Sequence, residues 1–125
     1  MVNLEKVAGY LCFKNQSKES MNLNLKQMSE WCLLKNYDCT IYFDKVKNRL
    51  DLDRNELNKL KHDIQDGKYK KLIIKDMTNV SRNTTFNIEF LQFLDDNDCK
   101  VESMDGIDLD LFKNIFNKNK EEKER

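Results

Sequence analysis

The hydrophobic positions of this chain switch between short continuous runs and stretches with helical spacing. Short runs of apolar and β-branched residues predict strands, whereas apolar residues that recur every three or four positions predict helices. On that basis we predict four strands, at 6–13, 39–43, 69–75 and 100–104. We predict helices at 20–35, 53–66 and 84–94, and a short final helix that carries Leu109, Phe112, Ile115 and Phe116.

Residues that suit helix ends set these boundaries. Ser20, Asp53 and Thr84 or Thr85 precede helical patterns, and their side chains can accept a hydrogen bond from the first helical turn. Gly67 follows the second helix and suits the left-handed conformation that often ends a helix. The remaining polar stretches predict a loop at 44–52 and a charged, frayed tail at 117–125.

The alternation of strands and helices predicts the fold class. Short connections between alternating elements favour a mostly parallel sheet with helices on both faces. A chain of 125 residues is the size of one domain. We therefore predict a three-layer α/β/α domain over residues 1–116, with a mostly parallel sheet of about four strands.

Charge is balanced over the whole chain. The sequence has 22 lysine and arginine residues and 22 aspartate and glutamate residues, so the net charge is zero. A strong nonspecific nucleic-acid binder normally has a marked basic excess, which is absent here. Two local basic groups occur, Lys45, Lys47 and Arg49, and then Lys68, Lys70, Lys71 and Lys75. We interpret them as solvated faces, although a local basic surface stays open.

Metal and cofactor motifs are missing from the sequence. The cysteines, Cys12, Cys32, Cys39 and Cys99, form no C-x-x-C pair, and His62 is the single histidine. We expect reduced, largely buried thiols and a surface or packing histidine, with no metal site. No glycine-rich loop follows a predicted strand, so we expect no nucleotide cofactor. The sequence also lacks a long apolar run and a signal-peptide pattern, and we expect a cytoplasmic protein without membrane contact.

The polar loop at 76–83 is the strongest candidate for a functional site. It follows the predicted strand at 69–75, and active sites in open α/β sheets collect at the carboxyl ends of strands. The loop carries Arg82, whose planar guanidinium can hold two phosphate oxygens. Phosphate chemistry is therefore the first hypothesis for this loop.

Short motifs over about residues 5 to 107 resemble those of the resolvase/invertase serine recombinases. The segment Tyr10-Leu11-Cys12-Phe13-Lys14-Asn15 is similar to the family's Y-x-R-V-S-T strand. The segment Asp53-Arg54-Asn55-Glu56-Leu57, which follows Phe43-Asp44, is similar to D-x-x-S-G…D-R-P-x-L. The segment Val80-Ser81-Arg82-Asn83 is similar to the end of the D-R-L-S-R-N loop. Each motif is weak alone, but their order and spacing make the resemblance fairly specific.

The resemblance implies a site for phosphoryl transfer. In that family a serine attacks a DNA phosphodiester and forms a phosphoserine link, while arginines and an aspartate stabilise the developing charge. Arg54 and Arg82 match arginines of the family, and Asp44 matches an acidic position. Together with Lys14, which falls at the family's nucleophile position, these residues are the candidates for phosphate binding, with Asp44 in a supporting role.

Other positions depart from the family pattern. Lys14 falls where the family has its nucleophilic serine, and Cys12 falls at its first-strand arginine. Thr78 and Asn79 replace the aspartate and arginine of the loop. An amine cannot form a serine ester, so the resemblance implies a degenerate recombinase domain that is impaired in catalysis.

Two alternatives stay open from the sequence. A displaced nucleophile, Ser17 or Ser20, would give an active recombinase or nuclease. A small regulatory protein that associates with an intact recombinase is the other alternative. We expect weak DNA binding by resemblance, and a homodimer through the final helix, because that region is the dimer helix of the family.

Overall fold

A computed structural model describes residues 4–47 and 54–109 of the chain. In order, the elements are β1 (Glu5–Lys14), α1 (Lys18–Leu34), β2 (Tyr37–Val46), α2 (Asn55–Gln65), β3 (Lys71–Ile74), α3 (Met77–Val80), α4 (Thr84–Asp96) and β4 (Lys100–Ser103). This alternation confirms the predicted α/β class. The predicted tail and most of the final helix lie outside the described residues, as does Asp53.

Within the described residues, the strands form one parallel sheet in the order β2-β1-β3-β4. Gly9 of β1 is the register partner of Ile41 in β2 and of Ile73 in β3. The chain passes outward from β1 to β2 through α1, and α2 then carries it back past β1 to β3. This reversal makes the carboxyl ends of β1 and β3 a topological switch point, where α/β proteins form their sites.

Two apolar clusters cover opposite faces of the sheet. Successive side chains of a strand point to opposite faces. The first cluster unites Ala8, Tyr10 and Cys12 of β1 with buried residues of α2 and α4. The second cluster unites the intervening β1 residues, Val7, Leu11 and Phe13, with Met28 and Cys32 of α1. Helices therefore cover both faces, and the predicted three-layer α/β/α arrangement is confirmed.

The second strand is longer than we predicted. It spans Tyr37–Val46 where the sequence indicated residues 39–43, so the predicted loop was wrong at residues 44–46. The rest of that predicted loop, from residue 48 to 52, lies outside the described residues. Asp44 is only 8% exposed. A carboxylate can lie in a buried strand when hydrogen bonds compensate its lost hydration, and its partners come from other elements. The polar character of the segment alone could not reveal those partners.

Two helix caps and one additional helix also differ from the prediction. Ser17, not Ser20, caps α1, and its Oγ accepts a hydrogen bond from the Ser20 amide at 3.1 Å. Asn83, not Thr84 or Thr85, caps α4, through Oδ1 and the Phe86 amide at 3.1 Å. The short helix α3 lies inside the segment that we predicted to be a loop.

Other predictions concern the thiols, His62 and the end of α2. Cys12, Cys32 and Cys99 are buried free thiols and Cys39 is half-buried, which agrees with the prediction. His62 is exposed. Gly67 follows α2 with φ of +79°, in the predicted left-handed conformation. In the described part of the chain, no helix is both long and apolar enough to cross a membrane.

Candidate functional site at the carboxyl ends of β1 and β3

Helix α3 crosses the switch point and is fastened to β1 by one side chain. Asn79 Oδ1 accepts a hydrogen bond from the Cys12 amide at 3.1 Å, and Asn79 Nδ2 donates one to the Cys12 carbonyl at 3.2 Å. The register between β1 and β3 ends at Tyr10 and Ile74, before Cys12 is reached. The Asn79 side chain therefore supplies the backbone partners that a longer β3 would have supplied.

The start of α3 is held by a carboxylate of its own segment. Asp76 is the N-cap of α3, and its Oδ1 accepts hydrogen bonds from the Asn79 amide and from Thr78 Oγ1, both at 2.7 Å. Such a cap satisfies an amide that the first helical turn leaves without a partner. Asn79 is therefore fixed through its backbone as well as through its side chain, and it is only 7% exposed.

Asp44 joins β2, β1 and α2. Its Oδ2 accepts hydrogen bonds from the Tyr10 hydroxyl at 2.8 Å and the Leu57 amide at 3.0 Å, and its Oδ1 accepts one from the Glu56 amide at 2.9 Å. The carboxylate thus caps the amino terminus of α2, where the helix dipole favours negative charge. Burial and the hydrogen bond to Asp44 raise the pKa of Tyr10 well above its ordinary value. Tyr10 had no place in the sequence-based site, because a tyrosine in a buried strand indicates only core packing.

Arg54 lies beneath the surface, beside α3 and α4. The residue is 1% exposed, and its Nη1 donates a hydrogen bond to the Val80 carbonyl oxygen. Its guanidinium carbon lies 5.2 Å from the centre of the Phe86 ring, within the range of a cation–π contact. These contacts connect the residue before α2 with the end of α3 and the first turn of α4. We call Asp44, Arg54 and Asn79 the inner group, because all three are buried.

The other candidate residues are exposed. Lys14 ends β1, Thr78 lies in α3, and Arg82 lies in the link between α3 and α4. In the described part of the chain, the side chains of Lys14 and Arg82 form no hydrogen bond or ion pair. We call Lys14, Thr78 and Arg82 the outer group.

Local hydrogen bonds position Arg82 next to the amino terminus of α4. The Asn83 amide donates to Ser81 Oγ at 3.0 Å, and Asn87 Nδ2 donates to the Ser81 carbonyl at 2.8 Å. Ser81 is itself 1% exposed. Because a helix amino terminus carries partial positive charge, Arg82 and the start of α4 together favour an anion.

Two further basic residues contribute to the lining of a surface pocket near Lys14. The pocket has a volume of about 310 Å³ and lies at the ends of β1 and β2, where its lining includes Lys45 and Lys47. Asn15 adopts φ of +46° and donates a hydrogen bond from Nδ2 to the Lys47 carbonyl at 3.2 Å, which draws the two strand ends together. The predicted basic group at 45–49 therefore lies, as far as it is described, at the same edge as the outer group.

The two serines considered as displaced nucleophiles lie at the start of α1. Ser17 Oγ accepts the capping hydrogen bond, and Ser20 Oγ donates to Gln16 Oε1 at 3.1 Å. Both follow the carboxyl end of β1 by a few residues. Their hydroxyls therefore lie on the same side of the sheet as the candidate site. Each hydroxyl makes a hydrogen bond at the start of α1.

Comparison with known proteins decides the family. The sequence profile described as "Resolvase, N terminal domain" matches residues 12–116 of the chain. The chain belongs to the resolvase family. This confirms the family that the sequence motifs indicated. A comparison with curated protein sequences finds no significant match.

Solved structures confirm the resolvase fold. The N-terminal catalytic domain of TP901-1 integrase superposes with a TM-score of 0.80 and 17% identity, over 96% of this chain and 97% of the other. A resolvase family site-specific recombinase from Streptococcus pneumoniae gives 0.71 and 19%, over 96% and 88%. A serine recombinase from Sulfolobus solfataricus gives 0.66 and 17%, over 83% and 71%. At these identities the likeness establishes the shared fold alone.

Proposed function

We propose that this resolvase-family domain is impaired in DNA strand cleavage and retains a role in contacting DNA or an intact recombinase. One observation carries the proposal. Asn79, which stands in place of an arginine of the family's loop, uses both ends of its amide on the Cys12 backbone. A neutral side chain committed in this way supplies no positive charge to a phosphoryl group.

The chemistry of the nucleophile position supports the same proposal. Cleavage through a phosphoserine needs an alcohol near the phosphorus and positioned positive charge around the phosphoryl oxygens. Lys14 provides an amine at that position, and Thr78 replaces the loop aspartate of the family. Arg54, which matches an arginine of the family, is 1% exposed and donates to a backbone carbonyl. The retained arginine therefore supports the framework of the site from inside.

Residual DNA contact would depend on exposed cations at this edge of the sheet. Lys14, Lys45, Lys47 and Arg82 are exposed at the carboxyl ends of the strands or in the link that follows β3. Contacts to about four phosphates give a logarithmic salt slope of about −3.6 on duplex DNA. We therefore expect weak binding that collapses between about 50 and 200 mM salt.

An assay for covalent protein–DNA adducts tests the impairment. The protein is incubated with supercoiled plasmids of diverse sequence, quenched in denaturant and analysed for nicks and for protein attached to DNA. An intact serine recombinase acting on its own site serves as the positive control. We expect no adduct. An adduct that maps to Ser17 or Ser20 would contradict the proposal and establish the displaced nucleophile, and Ser17→Ala and Ser20→Ala would identify the residue.

Association with another recombinase chain is a second part of the proposal. Leu109, the first apolar residue of the predicted final helix, is 5% exposed and belongs to the core cluster with α2 and α4. Phe112, Ile115 and Phe116 lie outside the described residues, and we propose that they pair in a weak homodimer or with an intact recombinase. Sedimentation of the wild type and Phe112→Asp tests this, because the substitution would abolish association without unfolding the domain. A wild type that stays monomeric at high concentration, and that does not bind an intact recombinase, would contradict it.

A further inference from the structure

A second basic surface lies at the opposite edge of the sheet, where the strands begin. Parallel strands all start at the same end of the sheet, so residues that are far apart in sequence lie close together there. Lys6 is the second residue of β1, while Lys71 is the first residue of β3 and Lys100 is the first residue of β4. With Lys68 and Lys70 they line a groove of about 510 Å³, together with Glu5, Gly67 and Asp98. We call it the amino-edge groove.

The groove holds an excess of positive charge that its own carboxylates do not balance. Glu5 pairs with Lys71 at 3.4 Å. The other lysines, Lys6, Lys68, Lys70 and Lys100, are exposed and form no ion pair in the described part of the chain. Asp98 is the remaining carboxylate of the lining. This local excess occurs on a chain whose net charge is zero, so it is not a reflection of overall composition.

Rigid elements hold these lysines in place. The Lys100 amide donates to the Lys70 carbonyl at 2.9 Å, which joins the starts of β4 and β3. The ammonium groups of Lys6 and Lys68 lie 5.9 and 5.5 Å from the centre of the Tyr69 ring, which is 2% exposed and therefore fixed. Charges anchored on strand ends lose less freedom on binding than charges on a mobile tail.

We propose that the amino-edge groove binds the phosphodiester backbone of nucleic acid, independently of the site at the carboxyl edge. Lysine ammonium groups bind phosphate as point charges, without the fixed bidentate geometry of arginine. The starts of β1 and β4 are two strand spacings apart, about 10 Å, which matches the rise of about three nucleotides. Contacts from ammonium groups to phosphates carry no sequence information, so we expect this binding to be independent of sequence.

Charge-matched variants test this groove. Lys70→Gln/Lys100→Gln removes two groove charges, and Lys26→Gln/Lys59→Gln removes two exposed helix charges as the control. Binding to a labelled DNA duplex is followed by fluorescence anisotropy over a range of salt, after circular dichroism has shown that both variants are folded. We expect the groove variant to bind about tenfold more weakly at low salt, with a slope shallower by about 1.8, and the control to change less than about twofold.

The inference is overturned if the groove variant binds DNA as well as the control does. If that variant also loses binding to polyglutamate, the ligand of the groove is an acidic protein. A third variant, Lys14→Gln/Arg82→Gln, separates the two edges. If it weakens DNA binding while the groove variant does not, the amino-edge inference fails and the proposed contact at the carboxyl edge stands.

Discussion

The inner and outer groups of the candidate site use similar residue types for different purposes. Arg54 and Arg82 both match arginines of the resolvase motifs, yet Arg54 is 1% exposed and donates to the Val80 carbonyl, whereas Arg82 is exposed. Asn79 and Thr78 are adjacent, yet only Asn79 is buried against β1. A family motif can therefore mark residues that stabilise the fold as well as residues that take part in the chemistry. We therefore expect the domain to need the inner group for folding, whether or not it retains the chemistry.

The two arginines provide the sharpest test of this division. We expect Arg54→Ala to lower the free energy of unfolding by about 3 kcal/mol or more, because it removes a buried hydrogen bond and leaves a cavity. Arg82→Ala should stay within about 0.5 kcal/mol of the wild type, as surface substitutions usually do. Urea unfolding of both variants measures the difference. Equal losses of stability would show that the two arginines do not differ in structural role.

Asp44 should contribute almost as much as Arg54 to the free energy of unfolding. Asp44→Ala removes the carboxylate that caps α2 and leaves the Tyr10 hydroxyl without that partner. A lost helix cap costs about 1 kcal/mol, and a buried hydroxyl without a partner costs about 1–3 kcal/mol, so we expect a total of about 3 kcal/mol. Asp38→Ala, at an exposed position of the same strand, is the matched control. A loss no greater than that of the control would show that Asp44 has no structural role.

Substitution of Asn79 in α3 should cause a smaller loss of stability, and its neighbour Thr78 serves as the control. Asn79→Ala leaves both backbone groups of Cys12 without the amide partner, and we expect a loss of about 2 kcal/mol. Thr78→Ala removes an exposed hydrogen bond to Asp76 and should cost less than about 0.5 kcal/mol. Thermal or urea unfolding of the pair tests this. If Thr78→Ala proves the more damaging substitution, the assignment of Asn79 to the inner group is wrong.

Alkaline pH should gradually destabilise the fold through Tyr10, the buried partner of Asp44. The pKa of Tyr10 is raised in the folded state by burial and by Asp44. The folded protein therefore keeps this proton above pH 10, where the unfolded chain releases it, so stability is lost as pH rises past about 10. Tyr10 alone contributes a slope approaching about 1.4 kcal/mol per pH unit, and Tyr42, whose pKa is also raised, adds to the decline. Urea unfolding between pH 9 and 11 should show a shallower decline in Tyr10→Phe, and identical slopes would contradict the role of burial at Tyr10.

The sequence predicted the fold better than it predicted which residues of the candidate site are buried and which are exposed. Hydrophobic spacing is a local signal, and it sufficed for the order of strands and helices. The burial of Arg54 depends on the Val80 carbonyl, 26 positions away, and the burial of Asp44 depends on Tyr10, 34 positions away. Neither contact can be inferred from local pattern. The amino-edge groove likewise required the strand order, because only the sheet brings Lys6 and Lys100 together.

The motif resemblance was more informative about position than about role. It placed Arg54, Arg82, Asp44 and Lys14 near the carboxyl ends of the strands, and it identified the family correctly. It could not tell which of these side chains face solvent, since a motif records residue types and spacing. Their roles in phosphate binding therefore remain predictions, and solution measurements on this domain can decide them.

Nuclear magnetic resonance during a titration with a short DNA duplex can show which residues of the inner and outer groups contact DNA. At low salt we expect the backbone amides of Lys14 and Arg82 to shift progressively as duplex is added. The side-chain amide of Asn79 and the Nε–H of Arg54 should keep their resonances, because both groups are held inside the domain. Shifts of Asn79 and Arg54 as large as those of Arg82, or no shifts at Lys14 and Arg82, would contradict the account.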